Sequence, residues 1–219
     1  MKSVFSLRTL VLLLLALLPF FYLLSIYPEL PARVPTHFDA SFKPDSYSNK
    51  SSLWTLVSML IVLSMGIYFL LHFLPSIDPK KTAKYSAAVF DKIGIAMVLF
   101  LSFINFLILH AAKTGSFRFG NLFPVALGLL FSFLGNLMHS IKPNYFAGIR
   151  TPWTLESEET WRKTHQLAGK LWFFGGFLLI AGSLLPGVAG KILFFCLLPV
   201  LVLVPVIYSY TYYKSIQKK

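Results

Sequence analysis

Six runs of about 20 mostly apolar residues, separated by short polar segments, constrain this chain more than any other feature. They are Leu7–Tyr27, Leu53–Leu74, Ile93–Ala112, Leu122–Ser140, Leu167–Leu185 and Ile192–Tyr212. Each is long enough, as helix, to cross the hydrocarbon core of a bilayer. Inside lipid the backbone must bond to itself, which leaves helix as the form for isolated runs of this kind. Composition agrees: 56% of the 219 residues are hydrophobic, only 13% are charged, and the mean hydropathy is +0.70. A water-soluble domain carries about a quarter charged residues. The expected fold is an all-α integral membrane protein of about six transmembrane helices, with residues 1–219 forming a single membrane domain.

The last two runs are joined only by Pro186–Lys191, so they should form a tight antiparallel hairpin. Pro199 and Pro205 interrupt the sixth run, and prolines kink membrane helices without abolishing them. Lys2 and Arg8 ahead of Leu10–Leu18 resemble the start of a signal peptide. The apolar run continues through Pro19 to Ile26 with no small-x-small cleavage site, so an uncleaved first helix is expected.

The formal charge of +12 excludes little until its distribution is read. Of the 20 Lys and Arg residues, fourteen fall in the N-terminal segment, the loops Pro75–Lys92 and Ile141–Lys170, and the tail. Six fall in the alternate loops. That asymmetry orients a membrane protein with both termini in the cytoplasm. Basic residues scattered over short loops do not make the continuous patch a nucleic acid needs, so no direct nucleic-acid partner is expected. The single cysteine, Cys196, excludes an intrachain disulfide and a Cys-based zinc cluster.

Two polar segments are long enough to carry function. The extracytoplasmic loop, residues 28–52, holds Pro28, Pro31, Pro35 and Pro44, which forbid a continuous helix and favour extended or turn backbone. In an extended strand His37 and Asp39 would face one side and Phe38 the other. Two readings are open: contact with an extracellular ligand, or a compact cap with Phe38, Phe42 and Tyr47 at the interface. Two such side chains fall short of the three protein ligands of a catalytic zinc site, so no metal or cofactor is expected.

The cytoplasmic loop, residues 141–166, is the more distinctive. Pro143, Gly148 and Pro152 shape a turn. After it, Thr154 or Ser157 can cap an amphipathic helix whose first turn carries Glu156, Glu158 and Glu159. Glu158–Arg162 and Glu159–Lys163 stand four apart in the favourable order, while Trp161, His165, Ala168 and Trp172 share the other face. Asn136 and His139 lie three apart at the end of the fourth run, at the level of His165, with Arg150 between. Such a cluster could bind an anion, move protons, or act as a structural clasp. Asn105 within the third run should hydrogen-bond across helices. His72 and His110, near helix ends, read as exposed neutral imidazoles.

The segment Asn144-Tyr-Phe-Ala-Gly-Ile-Arg-Thr-Pro-Trp-Thr-Leu155, followed by Trp161 and Thr164-His165, resembles the signature of the SdpI family of bacterial membrane proteins. The stretch Pro31-Ala-Arg-Val-Pro-Thr-His-Phe38, with Pro44-Asp45 and Lys50, is similar to the N-terminal domain of unknown function found in many members. Here Asp39-Ala-Ser-Phe-Lys stands where members commonly have Gly. The resemblance implies immunity to a secreted toxic peptide that attacks the envelope, in the bacterial cytoplasmic membrane. It also implies a relay in which a cytoplasmic transcriptional repressor is held at the membrane. On this basis Arg33, His37, Asp39, Asp45 and Lys50 are candidate contacts outside. Asn136, His139, Asn144, Gly148, Arg150, Thr151, Trp153, Trp161, Thr164 and His165 are candidates inside.

Three function classes follow. A non-enzymatic immunity or signalling protein, with membrane lipid, a toxic peptide and a repressor as partners, fits the resemblance. A small proton-coupled transporter or channel fits the polar groups near the bundle, without the internal repeats of many carriers. An enzyme acting on envelope lipids would rest on His139, Arg150 and His165, but no G-x-S-x-G or H-E-x-x-H motif occurs.

Overall fold

The computed structural model describes residues 6–39, 43–79, 86–116 and 121–217. The elements, in chain order, are α1 (Leu7–Ile26), a 3-10 turn (Tyr27–Glu29), β1 (Arg33–Phe38), β2 (Pro44–Asn49), α2 (Ser52–Ile77) and α3 (Ala87–Thr114). They continue with α4 (Leu122–Met138), α5 (Pro152–Glu156), α6 (Glu158–Ser183) and α7 (Ala189–Gln217). Each of the six apolar runs is a helix. Among the described residues four helices, α1 with its 3-10 turn, α2, α3 and α7, are long and apolar enough to cross a membrane, and α4 is a shorter apolar helix. α6 is 26 residues long, but its charged first turns dilute its apolar stretch. The chain is an all-α membrane protein with one small strand pair.

The chain divides into two compact units. The first comprises Met1–Phe69 and Gly94–Phe123. Ser6 caps α1 by accepting a hydrogen bond from the Thr9 amide at 3.1 Å. One apolar cluster joins Leu23, Ile26, Leu30 and Val34 to Leu53, Val57, Leu109 and Ala112. A second joins Leu12 and Ala16 to Met65, Tyr68 and Val98, where Gly94 lets the Tyr68 ring approach.

In the same unit, the proline-bounded loop folds as an antiparallel hairpin, β1 with β2, rather than as irregular chain. Val34 and Pro35 are buried and anchor β1, while β2 is mostly exposed. The ladder bond from the Lys50 amide to the Ala32 carbonyl makes Ala32 and Lys50 a hydrogen-bonded pair. The register then leaves Pro35, opposite Tyr47, at a non-hydrogen-bonded position, where its missing N–H disrupts nothing between the strands. Phe42 lies outside the described residues; Phe38 is half-buried and Tyr47 exposed.

The second unit comprises Leu70–Ile93 and Pro124–Lys219. α4 packs on α6 at backbone range. A Cβ on Gly128 would meet the Gly176 carbonyl oxygen at 2.5 Å, and one on Gly135 would overlap the Phe173 amide nitrogen. Ser132 Oγ donates to the Phe173 carbonyl at 3.0 Å. α6 and α7 form the expected hairpin, with Gly187 in the turn at φ +68°. Gly175 accommodates Leu201, and Trp172 Nε1 donates to the Leu201 carbonyl at 2.8 Å.

Candidate functional site

The segment from His139 to Thr151 has no regular secondary structure, yet its polar groups are extensively bonded. Asn144, fully buried, organises it. Its Nδ2 donates to the carbonyls of Lys142 and Ala147 at 2.9 and 3.0 Å. Its Oδ1 accepts from the amides of Phe146 and Ala147 at 2.8 and 2.7 Å. Two donors and two acceptor sites are the whole capacity of an amide side chain. The Tyr145 amide donates to Asp78 Oδ2 at 2.8 Å. Ser86 Oγ accepts from the Lys142 amide at 2.8 Å and lies 3.1 Å from the Ser140 carbonyl, to which it donates.

The turn closes on His165, which is 1% exposed. Its Nδ1 lies 2.8 Å from the Trp161 carbonyl and must donate; its Nε2 accepts from the Ile149 amide at 3.1 Å. These bonds fix a neutral imidazole with the proton on Nδ1. Burial holds its pKa down at about 4, opposed only by the bond to the Trp161 carbonyl. Gly148 sits against the ring at φ +102°, and a Cβ there would overlap Nε2. Trp161 stacks on His165 with centroids 4.1 Å apart and donates Nε1–H to the Ile141 carbonyl at 2.8 Å.

Thr151 caps α5 in a reciprocal box with Thr154, and its hydroxyl meets Ser209 Oγ on α7 at 3.1 Å. Ser157 ends α5 and caps α6, so of the two caps open in the sequence it is Ser157 that starts the amphipathic helix. Trp153 packs on Tyr210 with centroids 4.9 Å apart. Thr164 is fully buried, and its hydroxyl has no hydrogen-bond partner among the described residues. Arg150 is exposed and donates to the Tyr145 carbonyl at 2.8 Å. Asn136 is exposed on α4, away from this network. His139 is also exposed but lines, with His165, a cavity of about 360 Å³.

Several sequence readings change. Among the described residues no ion pair joins Glu158 to Arg162 or Glu159 to Lys163; Glu159 Oε1 instead accepts from the Tyr212 hydroxyl at 2.6 Å. His72 is not an exposed imidazole: its side chain is buried and its Nδ1 lies 2.9 Å from Asp91 Oδ1. Asn105 is buried, and its amide oxygen finds no partner among the described residues. Asp78, Ser86 and Asp91 were missed. The signal was available, since the chain has only eight acidic residues and two of them flank apolar runs.

On the hairpin, His37 and Asp39 bond to different partners. His37 Nδ1 lies 2.6 Å from Asp45 Oδ1, whereas Asp39 Oδ1 accepts from the Lys43 amide at 2.9 Å. The strand register places His37 across from Ser46, next to Asp45, which is why the cross-strand carboxylate wins. Arg33 donates to the Tyr47 carbonyl at 3.1 Å. Lys50 is a clasp: Nζ donates to the Tyr27 and Leu30 carbonyls, each at 3.1 Å, and sits 4.7 Å from the Tyr27 ring centroid.

Residues 140–209, which contain this turn from Ser140 onward, match the SdpI/YfhL protein family. The chain carries the SdpI-family signature. Residues 14–61, spanning most of α1, the hairpin and the start of α2, match a domain of unknown function, DUF1648. Along its length the chain is 24% identical to Immunity protein SdpI of Bacillus subtilis (strain 168), covering 95% of this chain and 97% of the relative. No solved structure matches. The SdpI-family resemblance and the apolar helices make this a multi-pass membrane protein.

Proposed function

We propose that this protein is a non-enzymatic immunity and signalling protein of the bacterial cytoplasmic membrane, protecting the cell from a secreted envelope-active peptide. The observation that carries the reading is likeness to an immunity protein over nearly the whole of both chains. The exposed hairpin supports peptide contact through His37 and Asp45, while Tyr145 and Arg150, exposed on a fixed turn, suit a cytoplasmic repressor. Expression of the chain in a peptide-sensitive host lacking its own immunity gene should raise the inhibitory concentration of the cognate peptide. His37→Ala with Asp45→Ala should lower protection at equal protein level. Failure of the unaltered chain to protect against the envelope-active peptides of its own host would refute the proposal.

One observation favours a second reading. The buried His72–Asp91 pair is the kind of ionisable couple that membrane proteins use to pass protons. Proton-coupled transport predicts acidification of vesicles containing the protein under an imposed gradient, abolished by Asp91→Asn. Absence of any flux dependent on Asp91 would exclude it.

A further inference from the structure

The 360 Å³ cavity in the second unit lies between the segment His139–Pro143 and the first turns of α6. Its floor is the stacked pair Trp161 and His165, whose nitrogens are already bonded to the protein. Its rim carries Lys142, Arg162 and His139 together with Glu158 and Glu159, all exposed. Among the described residues Lys142 and Arg162 form no ion pair, and Glu158 forms none either. Both signs of charge therefore line one small cavity without closing into an ion pair among the described residues.

Its depth is set by the chain. His139 directly follows the apolar helix α4, and Arg162 lies five residues before the apolar stretch that opens at Leu167. At the helical rise of 1.5 Å per residue, Arg162 stands about 7 Å beyond that stretch. The headgroup layer occupies roughly the first 5–8 Å outside the hydrocarbon core.

We infer that this cavity binds a phosphoethanolamine group, with its phosphate on Lys142 and Arg162 and its ammonium on Glu158. A phosphodiester alone would meet two carboxylates in the same cavity, and an amine alone would meet two cations. Arg162 offers the planar fork that suits phosphate oxygens. A primary ammonium can donate to Glu158, whereas choline cannot donate and prefers an open aromatic cage. Trp161 and His165 are buried against each other and form no such cage. The volume suits a ligand at the small end of the usual range. The inference does not rest on the immunity reading, and either can fail alone.

The test uses the full-length protein in non-ionic detergent, titrated with short-chain phosphatidylethanolamine, phosphatidylglycerol and phosphatidylcholine of identical chains, and with free O-phosphoethanolamine. Tryptophan fluorescence and native mass spectrometry report binding. The ethanolamine lipid should bind saturably and at least tenfold more tightly than the other two lipids. Arg162→Gln and Glu158→Gln should each weaken it about tenfold with unchanged unfolding temperature, and Lys142→Ala carries the same test should Arg162→Gln not fold. Glu158→Lys should shift preference to the glycerol lipid. If free O-phosphoethanolamine binds as tightly as the lipid, the site is confirmed and its ligand is a soluble phosphoamine. Equal binding of all three lipids, or indifference to the folded variants, would overturn the inference.

Discussion

Acidification should loosen the signature turn through one residue, His165. Its Nε2 must be unprotonated to accept the Ile149 amide, and burial holds its pKa at about 4, below the ordinary 6.5. The unfolded chain binds a proton near pH 6.5 while the native chain refuses it. Stability from this group is therefore complete above pH 6.5 and is lost as pH falls towards 4. A shift of this size corresponds to about 3 kcal/mol, at about 1.4 kcal/mol per unit. The measurement compares unfolding of the protein and His165→Gln in mixed micelles between pH 7 and 4. Gln keeps an acceptor and a donor but cannot titrate, and every other group cancels in the difference. The difference should move by about 3 kcal/mol across that window. Long-range nitrogen–proton NMR should show a neutral ring protonated on Nδ1 at pH 5.5. A ring already charged at pH 5.5, or a difference independent of pH, would refute the reasoning.

Gly148→Ala should destabilise by more than about 2 kcal/mol, since it adds backbone strain and an overlap with His165, whereas Gly115→Ala, at φ +67° with open space around it, should cost about 1 kcal/mol. Chemical denaturation of both variants checks this, and equal losses would mean the ring contact is unimportant. Asn144→Ala removes four hydrogen bonds from a buried side chain and should cost about 3 kcal/mol or more, while Asn136→Ala, on the exposed face of α4, should stay within about 0.5 kcal/mol. In a Cys196→Ala background, single cysteines at the exposed positions Ser46 and Glu156 should behave oppositely. An impermeant thiol reagent should label Ser46→Cys in intact cells and Glu156→Cys only after lysis; the reverse pattern would invert the orientation.

The helices were legible because lipid imposes one rule on every run: enough apolar residues in helix to cross the core. What the apolar pattern could not supply is long-range pairing. Prolines in the loop 28–52 excluded helix, but the choice of Asp45 over Asp39 as the partner of His37 depends on strand register, which is set across the turn. His72 and Asp91 stand 19 positions apart on two helices, so no local spacing announces their contact. Ser157 was legible as a cap because a hydroxyl beside an acidic first turn is a local signal. The charge pairs four apart on α6 failed for the opposite reason: exposed ion pairs are weak, and one tertiary hydroxyl from Tyr212 captures Glu159.

The signature turn separates into residues that build it and residues that it presents. Asn144, Gly148, Thr151, Thr154, Trp161 and His165 direct their polar groups or their missing side chain inward. The amides of Tyr145, Phe146, Ala147 and Ile149 are all bonded within the protein, so this backbone is not an open anion-binding nest. A turn fixed in this way loses little further freedom when a partner docks, which favours affinity. The side chains left for recognition are Tyr145, Arg150, Lys142 and Arg162, all exposed, together with half-buried Phe146. In the sequence Arg150 stands in the turn between His139 and His165. It is exposed and tethered to its own turn by the Tyr145 carbonyl. Substitutions in the inward set should therefore change stability first, and substitutions in the outward set should change function at constant stability. The two sets interleave from Lys142 to His165, so the motif is specific as sequence while only its outward set is open to a partner.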